Sequence, residues 1–413
     1  MKLILIRIDV NRLNEGQKLS SPVLDSRGRL LIGEGVPLDS RMIKHLRELG
    51  LQFVPIAVPG YEDITPLEAI SRKVEMFMKK EANEIIRAAR KTAIINPERI
   101  INAVDYVIND MLAKSKTGIV VDDLRTNKEF IFNHLTRVCI YAGILGTALG
   151  LNDLRLRTLM IIAYLHDVGL ALIDDENVLN GSYITDIPSY KIKEHPKLGR
   201  DLCNRAGFPF IVNQSIYQHH ERLDGKGYPR GISGKDITFY AKIVSVVDVY
   251  DILTSPLPNR KPFLPNEAIE FVMALSNSAF DKDVLRVFLK KVVPYPPGTL
   301  VLLSDNQICV VKECNNNLPL RPILKTYAYL DNKQVKYVEE PRVIDLKEHL
   351  NLTIVGLIDS SGKIIDYEAS NISNKLRDYD EFSTENNESD KKNQKKKILR
   401  FKRSIKLIDK NKR

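Results

Sequence analysis

Histidine is concentrated in one part of this chain. Five of its seven histidines fall between His134 and His220, in a segment whose apolar residues repeat at helical spacing. Neutral imidazole is the most common nitrogen ligand of transition metals, and carboxylates bridge or complete such sites. Because histidine is sparse elsewhere, this clustering favours a metal centre built from helices.

The clustered histidines stand beside carboxylates. The motifs are His134-Leu-Thr-Arg137, His166-Asp167, Glu194-His195-Pro196, His219-His220-Glu221 and Asp248-Val-Tyr-Asp251. A site for two cations needs ligands for both and usually one shared carboxylate. Neighbours on a helix point about 100° apart, so His166 and Asp167 can reach two metals. One such histidine alone is better explained by a hydrogen bond, but five with two carboxylates predict a metal-dependent hydrolase.

A short loop follows the double histidine directly. Gly225-Lys226-Gly227-Tyr228-Pro229 contains two glycines and a proline, which end a helix and restrict the chain. A Gly-x-Gly-Tyr-Pro sequence alone would indicate only a turn, but joined to His219-His220 it is specific. We expect this loop to place Lys226 and Tyr228 beside the metals.

Composition narrows the class of protein. Hydrophobic residues make up 44% of the 413 residues, and the longest apolar run, 159–165, is too short to span a bilayer. No signal-peptide pattern is found, so a cytoplasmic location is expected. The four cysteines lack Cys-x-x-Cys spacing and are interpreted as free thiols in a reducing compartment.

The net charge of +10 comes from the last residues of the chain. Residues 391–413 hold twelve basic residues and one acidic residue, a net of +11, so the other 390 residues sum to −1. The globular part is therefore not expected to bind nucleic acid. For the tail, a solvated disordered segment is favoured over an anionic membrane surface, which its interleaved apolar residues would also suit.

Patterning divides the chain into four segments. The prediction is a mainly α fold: a small N-terminal α/β module at 1–62, a helical domain at 63–293, a small β module resembling a barrel or sandwich at 294–358, and a disordered charged tail at 359–413. A helix is expected at 40–49 with Ser40 as its N-cap. Strands are expected at 300–303, 307–311, 324–330 and 352–355.

The motifs together resemble one known family. His134-x-x-Arg137, Leu165-His166-Asp167-x-Gly169, Glu194-His195-Pro196, His219-His220-Glu221-Arg222-x-Asp224-Gly225-x-Gly227-Tyr228-Pro229 and Asp248-Val-Tyr-Asp251-x-Leu-Thr254-Ser255 look like an HD-GYP domain over about 125–290. These are bacterial signal-transduction phosphodiesterases of the HD superfamily that act on cyclic di-GMP. The resemblance implies an all-helical HD-type phosphohydrolase domain.

The resemblance also implies roles for individual residues. One metal would bind His134, His166 and Asp248; the other would bind His195, His219 and His220, with Asp167 between them. Asp167, Arg137 and Tyr228 would be catalytic. The substrate would contact Arg137, Lys226, Gly227, Tyr228, Pro229 and Arg260. Two divalent transition-metal ions are implied, and iron, manganese and zinc suit these ligands equally.

The implied activity is hydrolysis of cyclic di-GMP to pGpG, GMP or both by a metal-bound hydroxide at a binuclear site. The alternative is a catalytically weak or inactive cyclic di-GMP receptor that signals to other proteins. It arises because Leu170 and Leu257 stand where the family has a lysine and an arginine. Phe130 likewise stands where many members have a glutamate that supports a third metal.

Overall fold

The computed structural model describes the chain from Ile6 to Ile358, except for residues 11–12, 21–22, 25–29, 49–52, 58–59, 62, 65–66, 68, 114–118, 121–129, 176–177, 180–188, 256, 258–261, 316–317 and 332–333. The predictions for Arg260 and for the charged tail therefore lie outside the described residues.

Helices dominate the middle of the chain and strands its two ends. The helices are α1 Ser40–Glu48, α2 Arg72–Thr92, α3 Pro97–Leu112, α4 Phe130–Ala148, α5 Asp153–Leu165, α6 Ser189–Ile192, α7 His195–Arg205, α8 Phe210–Gln218, α9 Phe239–Thr254, α10 Pro265–Ala274 and α11 Lys282–Lys291. The strands are β1 Ile6–Asp9, β2 Val23–Leu24, β3 Leu30–Ile32, β4 Phe53–Ile56, β5 Ile119–Val120, β6 Val292–Val293, β7 Leu300–Leu303, β8 Gln307–Glu313, β9 Ile323–Asp331, β10 Gln334–Tyr337, β11 Val343–Asp345 and β12 Ile354–Leu357. Two 3₁₀ segments, Val168–Leu172 and Gly234–Asp236, connect helices.

Helix α4 is the centre of the helical domain. It packs against α2, α5, α9 and α11 and is buried from Phe130 to Gly146 except at Phe132. Apolar residues occur on every side of this helix, so it lies in the interior, where neighbouring helices cover it. The mainly helical fold predicted from the sequence is confirmed for this domain.

Side-chain caps fix where several of these helices begin. Asn96, Asn152 and Thr238 each accept a hydrogen bond from the backbone N–H three residues later, at the starts of α3, α5 and α9. At α1, Asp39 Oδ1 accepts from Met42 N at 2.7 Å. Asp39 rather than the predicted Ser40 is therefore the N-cap, because Ser40 is already helical.

The C-terminal strands form an antiparallel sheet with the order β10-β9-β8-β7-β12, and β11 pairs with β9 beside β10. The predicted strands are present, although the last begins two residues late, at Ile354. The pairings of the described residues do not close this sheet into a barrel, because β12 and β10 remain at opposite edges. In the N-terminal module, β1 pairs with β4 and β2 with β3, both antiparallel.

The two ends of the chain share one hydrophobic core. Leu19, Leu46 and Ile56 of the N-terminal module are buried in the same cluster as Val310 and Ala328 of the C-terminal sheet. Packing of both modules around one core joins them into a single body.

Polar contacts reinforce this junction. The Tyr61 hydroxyl donates to the Thr326 carbonyl at 2.7 Å, and Asp63 pairs with Lys312 and Lys325 at 2.7 and 2.9 Å. Side chains of the other face of the sheet, such as Val301 and Leu303, pack in a second cluster with Tyr295, against which Leu264 at the start of α10 also packs. The Tyr295 hydroxyl donates to Asn266 Oδ1 of α10 at 3.1 Å.

None of the helices in the described part of the chain combines the length and the hydrophobicity that crossing a bilayer requires.

Candidate metal centre

The seven ligand candidates come from five places in the helical domain. His134 lies in α4, His166 and Asp167 directly follow α5, His195 begins α7, His219 and His220 directly follow α8, and Asp248 lies in α9. All are buried except His220, which is half-buried. Five of them lie at helix ends and two, His134 and Asp248, lie within α4 and α9, so separate motifs converge on one interior point.

The candidates form two groups of side chains, each with ligand atoms within 4.8 Å of one another. The first ligand group is His134, His166 and Asp248, and the second ligand group is Asp167, His195, His219 and His220. The Nε2 atoms of His134 and His166 are 3.2 Å apart, as are those of His195 and His219. Within each group these nitrogens thus point at a common centre.

Asp167 lies between the two groups and faces both. Its Oδ1 is 3.0 Å from His195 Nε2 and 3.5 Å from His219 Nε2. Its Oδ2 is 3.6 Å from the Nε2 atoms of both His134 and His166. One oxygen toward each group is the arrangement that a bridging carboxylate requires.

Backbone carbonyls orient three of the rings. The Nδ1 atoms of His166, His195 and His219 lie 2.7, 2.7 and 2.6 Å from the carbonyl oxygen three residues earlier. Because a carbonyl only accepts, each Nδ1 carries the hydrogen and each Nε2 offers its lone pair. The local backbone therefore orients these three rings as ligands.

The His134 ring is oriented differently, by a carboxylate. Its Nδ1 lies 2.9 Å from Asp251 Oδ2. Arg137 donates to the same carboxylate through Nε at 2.5 Å and Nη2 at 2.8 Å, and through Nη2 to Ser255 Oγ at 3.0 Å. All four side chains are buried. Arg137, expected from the sequence at the substrate, thus forms a fork on Asp251.

Glycine allows the 3₁₀ segment and α7 to approach closely. A Cβ atom on Gly169 would lie 2.0 Å from the His195 carbonyl oxygen and 2.5 Å from Gly199 N. No side chain fits there without displacing the backbone that carries His195. The glycine two residues after Asp167 thus lets the second ligand group close around that carboxylate.

A second glycine does the same for the loop after α8. A Cβ atom on Gly227 would lie 2.4 Å from the His220 carbonyl oxygen, which accepts from Tyr228 N at 3.2 Å. The loop therefore folds back onto the double histidine, with Gly227 and Pro229 half-buried.

Other residues of this motif hold the loop in shape. Glu221 accepts hydrogen bonds from the backbone N–H groups of Arg230 and Ile232 at 2.7 and 3.1 Å. Arg222 forms a fork on Asp224, with distances of 3.1 and 3.0 Å. Through these contacts Glu221, Arg222 and Asp224 hold the conformation of the loop.

One aromatic ring and one cation border the second ligand group. The Tyr228 ring stacks on His220 with centroids 4.6 Å apart and 24° between the planes. Lys193 Nζ lies 5.7 Å from the Tyr228 centroid. Lys226 is exposed, and its backbone N–H donates to Asp224 Oδ1 at 3.1 Å. An anionic ligand could meet the Lys193 ammonium beside the ring.

Three apolar residues stand where the family has polar ones. Phe130 is buried and stacks on His134, with centroids 5.4 Å apart and 10° between the planes. Leu170 and Leu257 are both buried in the core of the helical domain. At these positions the chain is packed as a hydrophobic interior.

The donor set fits divalent cations. Both carboxylate oxygens of Asp248 are buried and have no hydrogen-bond partner among the described residues, although Oδ1 lies 3.2 Å from His134 Nε2. Burying a carboxylate without partners is costly, and a bound cation removes that cost. Imidazole nitrogens and carboxylate oxygens at one centre suit divalent transition metals.

Burial and neighbouring charges shift the pKa values of the ligand candidates. Burial lowers the pKa of His219 and, more strongly, that of His220. Burial opposes protonation of His134 and His166 too, but neighbouring carboxylates outweigh it and raise the pKa of both rings. The same histidines hold the pKa of Asp248 below its usual range despite burial. His219 and His220 therefore offer neutral imidazoles, and Asp248 offers an ionised carboxylate.

Two features of the site were not found from the sequence. Asp251 was recognised only as part of a motif, and its contact with His134 depends on how α4 and α9 pack. The spacing offers a signal, because Arg137 and Asp251 each follow a ligand candidate by three residues. Lys193 precedes the Glu194-His195-Pro196 motif by one residue, and nothing in the sequence shows that it reaches Tyr228.

Comparison with known proteins supports the family resemblance. Residues 119–284 match the family model of the HD domain, and residues 300–363 match that of the KOW domain associated with HD domain. The chain is 32% identical over 244 residues to the cyclic di-GMP phosphodiesterase PA4108 of Pseudomonas aeruginosa, covering 59% of each protein.

Two further relatives cover less of the chain. Identity is 32% to the cyclic di-GMP phosphodiesterase response regulator RpfG of Xanthomonas campestris, over 38% of this chain and 42% of that protein. It is 26% to the 3'3'-cGAMP-specific phosphodiesterase 2 of Vibrio cholerae, over 45% of this chain and 38% of that protein. The chain thus spans less than two thirds of these relatives. Residues 119–284 are therefore an HD domain, and the Gly227-Tyr228-Pro229 loop beside its histidine clusters gives this domain the HD-GYP pattern.

Proposed function

We propose that this protein hydrolyses cyclic di-GMP at a site for two divalent metal ions. The observation that carries the proposal is Asp167, whose two oxygens face two separate groups of ligand atoms. The first ion would be held by His134, His166 and Asp248, the second by His195, His219 and His220, with Asp167 shared. Bound divalent ions supply a water of lowered pKa and positive charge for phosphate oxygens.

The protein's own residues prepare this site before any substrate arrives. Backbone carbonyls and Asp251 fix the rings, so ligand geometry requires no rearrangement. Tyr228 and Lys193 border the second ligand group, where we propose that they contact the base and the phosphate of the bound dinucleotide. Lys226, Gly227 and Pro229 would complete that side, and Arg260 belongs to the same proposal on sequence grounds.

The substrate class follows from the relatives and from the chemistry of the site. Relatives named for cyclic di-GMP and for 3'3'-cGAMP both act on cyclic dinucleotides with two phosphodiester bonds. Addition of one water to one bond gives the linear pGpG, and a second water gives two GMP. We propose cyclic di-GMP as the substrate because two of the three relatives described above are named as cyclic di-GMP phosphodiesterases.

Turnover of the full chain tests the proposal. Protein loaded with Mn²⁺ or Fe²⁺ should convert cyclic di-GMP to pGpG or GMP, and chromatography measures these products. The same assay with 3'3'-cGAMP compares the two substrates. The double variant His166→Ala/Asp167→Ala removes a terminal ligand and the shared carboxylate and should abolish hydrolysis, whereas Tyr228→Phe should reduce it less. Wild-type turnover in the double variant would rule out this site.

A receptor is the second candidate function. It is favoured by Leu170 and Leu257, buried apolar residues where the family has cations that stabilise the transition state. A receptor predicts that metal-loaded protein binds cyclic di-GMP without releasing product. Equilibrium binding and product analysis on one preparation separate the two functions.

A further inference from the structure

The four oriented histidines differ in what holds them. Three use a backbone carbonyl, which no side-chain substitution removes. Only His134 among these four depends on a side chain, the Asp251 carboxylate 2.9 Å from its Nδ1. His134 belongs to the first ligand group, so any loss of orientation falls on that group.

The support of His134 repeats the geometry of the ligands one turn further along two helices. Arg137 follows His134 by three residues in α4, and Asp251 follows Asp248 by three residues in α9. Residues at this spacing share a helix face, so the ligands meet in one layer and the fork of Arg137 on Asp251 lies in the next. One helical turn beyond the ligands His134 and Asp248, Arg137 and Asp251 therefore form an ion pair.

Ser255 connects the two residues of this ion pair. Ser255 accepts from Arg137 Nη2 at 3.0 Å and donates to the Asp251 carbonyl at 2.6 Å. A buried carboxylate needs compensating charge, and a two-point guanidinium fork supplies it with a fixed direction. The second carboxylate oxygen can then accept from His134 Nδ1 in one orientation only.

Building on the function proposed above, we propose that Asp251, held by Arg137, is a positioning residue that sets the affinity of the first ligand group for its metal ion. Outer partners of metal-binding histidines typically change metal affinity by about 10- to 100-fold when removed. Because backbone carbonyls hold His195 and His219, the second ligand group should keep its affinity. Arg137 thus acts through Asp251 and not on the substrate.

The test is metal binding by the full chain, not turnover. Asp251→Asn keeps the shape of the side chain but loses the charge that fixes the ring. Mn²⁺ bound per chain, measured after dialysis against graded free Mn²⁺, should show one of two ions weakened about 10- to 100-fold and the other changed less than about twofold. Asp105→Asn is the matched control, because Asp105 pairs with Arg157 in the same domain. It should bind both ions like wild type.

Two further variants assign the weakened ion and guard against misfolding. Asp248→Asn should weaken the same ion, and Asp248→Asn/Asp251→Asn should weaken it no more than the stronger single change. If Asp251→Asn alone does not fold, Arg137→Gln/Asp251→Asn removes both charges, leaves neither buried alone, and should show the same selective loss.

The outcomes separate this inference from the proposed function. A wild-type chain that binds no Mn²⁺ contradicts the proposed function itself. Unchanged affinity for both ions in a folded Asp251 variant, or equal loss of both, overturns the positioning role alone. A rise in the KM for cyclic di-GMP in Arg137→Gln, with metal affinity unchanged, would instead place Arg137 at the substrate.

Discussion

The ring of Phe130 lies parallel to the ring of His134, with 10° between the planes and 5.4 Å between the centroids. Many relatives of this family have a glutamate at that position, where it supports a third metal. A phenyl ring has no ligand atom, and its face covers a ring of the first ligand group.

We therefore expect about two transition-metal ions per chain and no third. Elemental analysis of protein purified without chelator measures the count, and His166→Ala/Asp167→Ala, which removes one ligand from each group, should lower it. A reproducible count of three in the wild type would show that another residue replaces the missing carboxylate.

Leu170 is fully buried, in the 3₁₀ segment Val168–Leu172. Restoring the family's lysine with Leu170→Lys would place an ammonium group in the hydrophobic core. We expect a loss of several kcal/mol in the free energy of unfolding and no gain in turnover. Urea denaturation measures the loss.

Leu170→Met is the matched control, since a volume-conserving apolar change should cost less than about 1.5 kcal/mol. A lysine variant as stable as wild type and faster in turnover would contradict this expectation, because the new side chain would then reach the site.

The Asp63 carboxylate links the two ends of the chain. Hydrogen bonds from Lys312 and then Lys325 lower the pKa of Asp63 from 3.8 to about 2. Because the pKa is lower in the folded state, the contribution to stability is present above about pH 4 and is lost as the pH falls toward 2. Asp63→Asn should remove it.

The effect should be small. The Asp63 side chain is 42% exposed, and solvent screens such pairs to about 1 kcal/mol or less. Urea denaturation of wild type and Asp63→Asn at pH 5 and pH 3 measures this contribution to stability. The difference between the two urea midpoints should be smaller at pH 3 than at pH 5. An equal difference at both pH values would mean that ionisation of the Asp63 carboxylate does not contribute to stability.

The charged tail lies outside the described residues, and its behaviour stays a prediction from the sequence. With a solvated tail, the full chain and a chain ending at Asn374 should both remain in solution with anionic liposomes. Salt-sensitive sedimentation of the full chain alone would favour the membrane surface instead. The shortened chain should keep its metals, because every ligand candidate lies between His134 and Asp248.

The sequence predicted those parts of the protein that depend on local chemistry. Imidazoles and carboxylates stand out by residue type, and the seven selected side chains do lie together, although metal binding by them stays a prediction. Helical periodicity likewise identified the helical domain. The contact of Asp251 with His134 was not predictable, because it depends on the register between α4 and α9 rather than on either segment.

The same limit explains the other differences. Ser40 and Asp39 are both good caps, and only the backbone decides which of them precedes the first helical residue. The contact of Arg137 with Asp251 depends on a residue in another helix, and its expected contact with the substrate stays a prediction. Sequence identifies the chemistry that a side chain offers, and packing selects its partner.

The junction between the two ends of the chain has a consequence for how this protein is made. Tyr61 finds its hydrogen-bond acceptor in Thr326, 265 residues later. During synthesis the apolar residues around Tyr61 leave the ribosome long before the strands that cover them, while the helices between can already assemble from nearer contacts. The core around Tyr61 is therefore completed only after the C-terminal strands have been synthesised, later than the helical domain that lies between them.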